Sequence, residues 1–374
     1  MRIGIPAETR AGEQRVAATP ETVKKLLAGG HHQIMVQTGA GVAASVPDSE
    51  FQAVGASIVG SAQELYSQSQ IVLKVRGPSA EELTQLQRDA VLIGLLDARA
   101  PGVAEGLVKQ GITAFSLELL PRITRAQSMD VLSSQANIGG YKALMLAANT
   151  YQRFMPMLMT AAGTVKAARV LVLGAGVAGL QAVATAKRLG AVIEAFDVRP
   201  AVKEQVESLG AKFVEVPLSE AEKEQAETAG GYAREMSDEY KARQAALIHE
   251  RAKAADIVIT TALIPGKPAP VLIKEETVKA MKPGSVIVDM AVEAGGNCPI
   301  SELDKIVLKH GVSLIGIANL PALVAADASS LYARNLLNFL GVLLDPKTGA
   351  LTINRDDEII AGTLVCTGGE VIKK

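Results

Sequence analysis

Residues 168–200, ARVLVLGAGVAGLQAVATAKRLGAVIEAFDVRP, decide the fold. An apolar run, RVLVLG (169–174), ends in Gly174-x-Gly176-x-x-Gly179. A helical pattern follows, then a second apolar run, VIEAFDV (192–198), carrying Asp197 near its end. The first glycine allows a tight turn, the second lets backbone approach a pyrophosphate, and the third lets the helix pack closely on the strand. Amides at the start of that helix then face the phosphates. A carboxylate about 20 residues further on accepts hydrogen bonds from ribose hydroxyls. A glycine-lined turn without ligand shares part of this pattern, but here strand, turn, helix and acidic residue stand in the required order. Asp197 favours NAD(H) over NADP(H), whose 2′-phosphate it repels. Arg199 works the other way, because an arginine nearby can neutralise a phosphate.

The same alternation extends in both directions. Downstream lie KFVEV (212–216), DIVITTA (256–262), SVIVDMA (285–291) and VSLIGIA (312–318). Upstream lie RIGIP (2–6), QIMVQTG (33–39), QIVLKV (70–75), AVLIGLL (90–96) and ITAFSLEL (112–119), with no glycine fingerprint among them. Between the first two, TPETVKKLLAGG (19–30) offers Thr19 as N-cap, Pro20 at the first helical position and Gly29-Gly30 as the stop. Thr22 stands where a capping box needs Glu or Gln, so no full box is expected. Apolar strands alternating with helices predict parallel sheets covered on both faces. The expected architecture is α/β, two Rossmann-like doubly wound parallel-sheet domains with a cofactor cleft between them. Residues 1–132 plus 325–374 form the first, discontinuous domain, and 133–324 the NAD(H)-binding one. Helices are expected over 135–153, bridging the domains, and over 329–344, with a hairpin-like tail (351–366) returning to the first domain.

Composition excludes several functions. In 374 residues, Lys+Arg 38 against Asp+Glu 39 leaves a net charge of −1. With aromatic residues at 3% and no Trp, the chain lacks both the basic footprint and the stacking surface of a nucleic-acid binder. Two cysteines, Cys298 and Cys366, build no disulfide framework, and the four histidines (31, 32, 249, 310) fall into no metal-ligand spacing. No apolar run approaches the roughly 18–20 residues of a membrane span, and MRIGIPAETR reads as a strand and turn rather than a signal segment. A cytoplasmic setting with at most peripheral membrane association is expected.

Two further stretches invite chemistry. PRITRAQSMDVLSSQANIGGY (121–141) concentrates Arg122, Arg125, Gln127, Asp130 and hydroxyl groups beside an apolar strand. It suits the grip of an amide-bearing ring, or equally a capped helix start with an ion pair from Arg122 or Arg125 to Asp130. The charged stretch 219–244, interrupted by Gly230-Gly231-Tyr232, reads as a lid over a cofactor or as a solvated helix with a glycine stop. Neither the glycine unit nor 121–141 holds a histidine. Oxidation of a hydroxy or amino acid needs a base for the proton, whereas hydride passing between two nicotinamides needs none.

On these residues, together with MRIGIPAETR…RVAATPETV, AGGYAREMSDE, TTALIPGKPAP and GSVIVDMAVEAGGNC, the chain resembles the NAD(H)-binding component (domain I) of proton-translocating NAD(P) transhydrogenases over essentially its whole length. The resemblance implies NAD(H) bound by this chain and NADP(H) on a partner domain. It also implies a membrane-embedded proton-channel subunit, a homodimer, and a place on the cytoplasmic face of the inner membrane. It assigns Arg122 and Asp130 to the nicotinamide side, Gln127 to orienting the reacting ring, and Ser133 to the carboxamide. Gly174, Gly176, Val177 and Gly179 would line the pyrophosphate turn, Asp197 the adenosine ribose, and Gly231-Tyr232 a loop closing over NAD(H). Alanine dehydrogenases share the opening and the two-domain plan. Their substrate site resembles Arg15 and Lys74 here, but the histidine expected after strand 90–96 is replaced by Leu96-Asp97-Ala98-Arg99. A plain NAD-binding module is a third possibility.

Overall fold

The computed structural model describes residues 1–216, 237–264 and 267–372, and these fall into two units, residues 1–135 with 321–374 and residues 136–320. The first unit carries β1 (Arg2–Ile5), β2 (Gln33–Gln37), β3 (Ser57–Val59), β4 (Ile71–Arg76), β5 (Val91–Leu95) and β6 (Thr113–Ser116). These six pair in parallel in the order β6-β5-β4-β1-β2-β3. In the second unit a short hairpin, β7 (Leu158–Thr160) and β8 (Gly163–Val165), precedes the main sheet. That sheet comprises β9 (Arg169–Leu173), β10 (Val192–Phe196), β11 (Lys212–Val214), β12 (Ile257–Thr260), β13 (Val286–Asp289), β14 (Ile306–Lys309) and β15 (Val312–Ile315). Its order is β11-β10-β9-β12-β13-β15-β14, antiparallel only at the β14 edge. The six parallel strands of the first sheet therefore follow the 3-2-1-4-5-6 order of doubly wound dinucleotide-binding folds, and the second sheet follows it through 3-2-1-4-5 before β15 and the antiparallel β14, with switch points between β1 and β4 and between β9 and β12.

Period-two alternation divides each strand between two cores. In the second unit Val170, Val172, Ile257 and Ile259 face one layer, while Leu171, Leu173 and Val258 face the other. Ile71, Leu73 and Val75 oppose Val72 in the same way in the first unit. Because helices cover both faces, central strands read as unbroken apolar runs.

Several expectations need correction. The tail 351–366 is not a hairpin. Asp357 accepts the Ile359 amide at 2.8 Å and starts a short helix, Glu358–Thr363. β16 (Leu364–Thr367) follows and adds antiparallel to β6, with β17 (Glu370–Val371) beside it. The run 112–119 is strand only to Ser116, after which Leu117–Leu119 turns in a 3-10 arc. The helix expected over 135–153 runs Val131–Thr150, and the one expected over 329–344 runs Ala325–Leu343. At the first helix, Pro20–Leu27, Thr22 takes the capping role despite not being Glu or Gln. Its hydroxyl accepts the Thr19 amide and donates to the Thr19 carbonyl, both at 3.0 Å, while Thr19 Oγ1 is buried without a partner. The stretch 217–236, with Gly231 and Tyr232, lies outside the described residues. Among the described residues, no helix is long and apolar enough to cross a membrane.

Candidate functional site: a glycine turn at one switch point and buried ion pairs at the other

Each glycine of the fingerprint has a different physical reason. Gly174 sits at φ +100°, and a Cβ there would come 2.5 Å from Thr261 Oγ1. Thr261 follows β12, and its hydroxyl donates to the Gly174 carbonyl at 3.0 Å, tying the turn to the neighbouring strand across the switch point. At Gly179 a Cβ would meet the Gly174 carbonyl oxygen at 1.8 Å, so only glycine lets the helix Val177–Arg188 start this close to β9. Gly140 plays the same part for the helix Val131–Thr150, where a Cβ would lie 2.0 Å from the Ala178 carbonyl. Gly176 is the exception. Its φ of −77° and ψ of −169° are open to any residue, and among the described residues nothing lies within 4 Å of an added Cβ. Neither conformation nor packing among the described residues of this unit asks for glycine there. A ligand lying against the backbone does, and the exposed Val177 beside it opens a twelve-residue helix whose first amides have no intrahelical acceptor. The turn thus fits a dinucleotide pyrophosphate.

Asp197, just past β10, is buried beside this turn. It accepts the Ala175 amide at 2.7 Å and the Arg199 amide at 2.9 Å, with Arg199 Nε at 2.9 Å and Nη2 at 2.8 Å completing the set. The loops after β12 and β13, at the same carboxyl edge of the sheet, are held by a pair that the sequence did not single out. Asp289 is fully buried and accepts the amides of Ala291, Asn297 and Cys298 at 2.9–3.1 Å. Asn297 in turn donates to the carbonyls of Ala262 and Pro270 and accepts the Ala262 amide. An acidic residue closing the apolar strand VIVD was the available signal.

The polar stretch 122–133 belongs to the first unit. Gln127 lies exposed in the 3-10 segment Thr124–Met129, and Arg122 is exposed just before it. Asp130 accepts the Ser133 amide at 2.9 Å and the Ser133 hydroxyl at 2.5 Å, which makes it the N-cap of the helix from Val131. The capped helix start is therefore real. The alternative ion pair to Asp130 from Arg125 is not, because Arg125 forks onto Asp357 at 2.6 and 2.7 Å.

The switch point of the first unit is built in the opposite sense. In place of glycines, the turn after β1 carries Glu8, whose carboxylate crosses to β4 and accepts the amides of Val75 and Arg76 at 2.6 and 3.3 Å. Lys74, 1% exposed, bridges Glu82 at 2.9 Å and Glu8 at 3.5 Å. Tyr66 donates to Glu82 at 2.8 Å, and Tyr332 donates to the Lys74 carbonyl at 2.7 Å. Arg15 is gripped by Glu13 at 2.6 and 2.8 Å and donates to Gln135 at 2.8 Å. Burial pushes the Glu8 carboxyl up, against the pull of Lys74. At Glu82 burial also opposes ionisation, but Lys74 and hydrogen bonds from Ser79 and Tyr66 outweigh it and hold the carboxyl low. Glu8, Glu13 and Glu82 against Arg15, Lys74 and Arg76 form a charge-balanced group at this switch point. Where the alanine dehydrogenase pattern asks for histidine, Leu96 is buried and Asp97 exposed at φ +57°, with Glu118 accepting the amides of Leu96 and Ala98.

Residues 4–139 match the family described as alanine dehydrogenase/PNT, N-terminal domain, and residues 143–374 match its C-terminal domain. The chain belongs to the alanine dehydrogenase/PNT family. Within it, the chain is 54% identical to the first portion of the NAD(P) transhydrogenase alpha subunit of Rhodospirillum rubrum, over all of this chain and 98% of that one. The alanine dehydrogenase of Mycobacterium tuberculosis is 30% identical over 87% of this chain and 82% of its own length. Among solved structures, a transhydrogenase from Sinorhizobium meliloti superposes with a TM-score of 0.89 at 46% identity, covering 99% of this chain and 100% of that one. An L-alanine dehydrogenase reaches 0.82 at 26% identity, over 99% and 96%. The family's two branches thus share this fold, and identity is higher toward the transhydrogenase branch.

Proposed function

We propose that this chain is the NAD(H)-binding component of a proton-translocating NAD(P) transhydrogenase. It would pass hydride from NADH to NADP⁺ held by a partner domain, in the overall reaction NADH + NADP⁺ → NAD⁺ + NADPH. The observation that carries the reading is Gly176, a glycine that neither its backbone conformation nor its packing among the described residues requires, at the mouth of a dinucleotide turn. Gly174, Gly176, Val177 and Gly179 take the pyrophosphate and Asp197 the adenosine ribose. Bound NADH supplies the hydride. Arg122 and Asp130 hold the nicotinamide side, Ser133 its carboxamide, and Gln127 orients the ring toward the acceptor. Gly231-Tyr232 serve as the closing loop. The partners are the NADP(H)-binding domain and a membrane-embedded proton-channel subunit, and the chain sits peripherally on the cytoplasmic face of the inner membrane.

The buried group at the first switch point supports this choice over alanine oxidation. Lys74 and Arg15, the cations that would meet a substrate carboxylate, each have an internal carboxylate within 3 Å. No histidine stands near Leu96 in sequence to handle the substrate's proton. Gln127 supplies the test. Gln127→Asn should slow hydride transfer to the partner by about tenfold or more while NADH affinity stays nearly constant. Equal losses in both would move Gln127 to ground-state binding and remove its orienting role.

A homodimer is part of the same reading. Around the β7–β8 hairpin, Phe154 and Met157 are each 55% exposed and Met159 79%, an apolar edge suited to a second copy. Met157→Asp with Met159→Asp should sediment as a monomer. A dimer of unchanged stability would place the interface elsewhere.

A further inference from the structure

We propose that Arg199 sets how sharply this site prefers NAD(H), by competing with the adenosine ribose for Asp197. This rests on the reading of Asp197 as the ribose ligand. A carboxylate offers about four acceptor positions, and at Asp197 four hydrogen bonds arrive. Two come from backbone, Ala175 and Arg199, and they fix the carboxylate beside the glycine turn. The other two come from the Arg199 guanidinium, Nε on Oδ1 and Nη2 on Oδ2. A fork that gives one donor to each oxygen is also how a vicinal cis-diol meets a carboxylate. Arg199 therefore occupies the two positions that the ribose 2′- and 3′-hydroxyls need. It is the part of the set that can leave by side-chain rotation, being 21% exposed against 6% for Asp197.

Two consequences follow. Ribose binding exchanges a charge-assisted fork for hydroxyl donors, so Arg199 weakens NADH binding. The paired carboxylate is also electrically neutral, so an incoming 2′-phosphate meets a displaceable cation rather than a bare negative charge. Arg199 therefore weakens rejection of NADPH as well. Removing it should move the two cofactors in opposite directions.

The test is calorimetric titration of NADH and NADPH into wild type, Arg199→Ala, Arg199→Gln and Asp197→Ala, with thermal melts of each protein. Arg199→Ala should bind NADH about three- to tenfold more tightly and NADPH more weakly by at least a similar factor. Arg199→Gln, which keeps the stem but not the charge, should move in the same directions, and it is the variant to read should the alanine protein melt too low. Weaker or unchanged NADH binding in a folded arginine variant would overturn the proposal, since Arg199 would then touch the nucleotide or be inert. Asp197→Ala separates this from the parent reading. It should lose NADH affinity at least tenfold, and if it binds like wild type the ribose assignment fails together with the competition built on it.

Discussion

Replacing Gly176 by alanine should cost this protein about two orders of magnitude in NADH affinity, near 2.7 kcal/mol, while leaving its melting temperature unchanged or slightly raised. Backbone at Gly176 is already in a region open to L-residues, and among the described residues an added methyl meets no atom within 4 Å. Alanine for glycine at a compatible position commonly stabilises by about 0.4–1 kcal/mol, through the unfolded chain. The methyl instead stands where a pyrophosphate must come against the amides opening the helix Val177–Arg188. Gly179→Ala supplies the contrast. There the methyl would lie 1.8 Å from the Gly174 carbonyl, so the strand–helix junction itself must give and stability falls along with binding. Titration calorimetry and thermal melts on both variants check the pair. A Gly176→Ala protein that binds NADH within threefold of wild type would remove the ligand from this turn.

The second large effect belongs to the other switch point. Lys74→Met should destabilise the protein by about 3–5 kcal/mol at pH 7, because removing one partner leaves buried charge unpaired. Glu82 and Glu8, with side chains 7% and 3% exposed, would keep their burial and lose their ammonium. The sign with pH follows from linkage. In the wild type Glu82 is held below 4.5, so its contribution is present above that value and is lost as pH falls through the lowered one. In the variant, burial without Lys74 raises both carboxyls. Their penalty is then greatest above the raised values and fades as pH falls toward 4.5, where protons replace the missing cation. Denaturant melts at pH 7.5 and pH 5 measure this. A deficit that is small, or that grows on acidification, would mean that Lys74 is not what neutralises this group.

Why the central sheets are legible in sequence while their margins are not follows from burial. β9, β12 and β13 are covered on both faces and must be apolar throughout, so RVLV, IVIT and VIVD declare themselves. Edge elements carry no such demand. β3 is three residues long, the β7–β8 hairpin is largely exposed, and β14 alternates between exposed and half-buried positions. The tail misled because the apolar alternation around Ile359-Ile360 serves equally as one turn of buried helix once Asp357 caps it. At the site, the glycine spacing carries its own geometry and was readable. Asp130 was not separable in sequence into cap or ligand, since an acidic residue three before a serine suits both. Glu8 was missed because a glutamate in a polar turn looks solvated. Only the sheet order, which sets β1 beside β4, shows it crossing to the Val75 amide.

The most direct measurement follows a label. The chain loaded with NADH deuterated at the transferable position is mixed with a transhydrogenase NADP(H)-binding component carrying NADP⁺, and the products are read by mass spectrometry. Deuterium should appear in NADPH only when that component is present, and pyruvate with ammonium should consume no NADH. Deuterium found in alanine, with none in NADPH, would contradict the account.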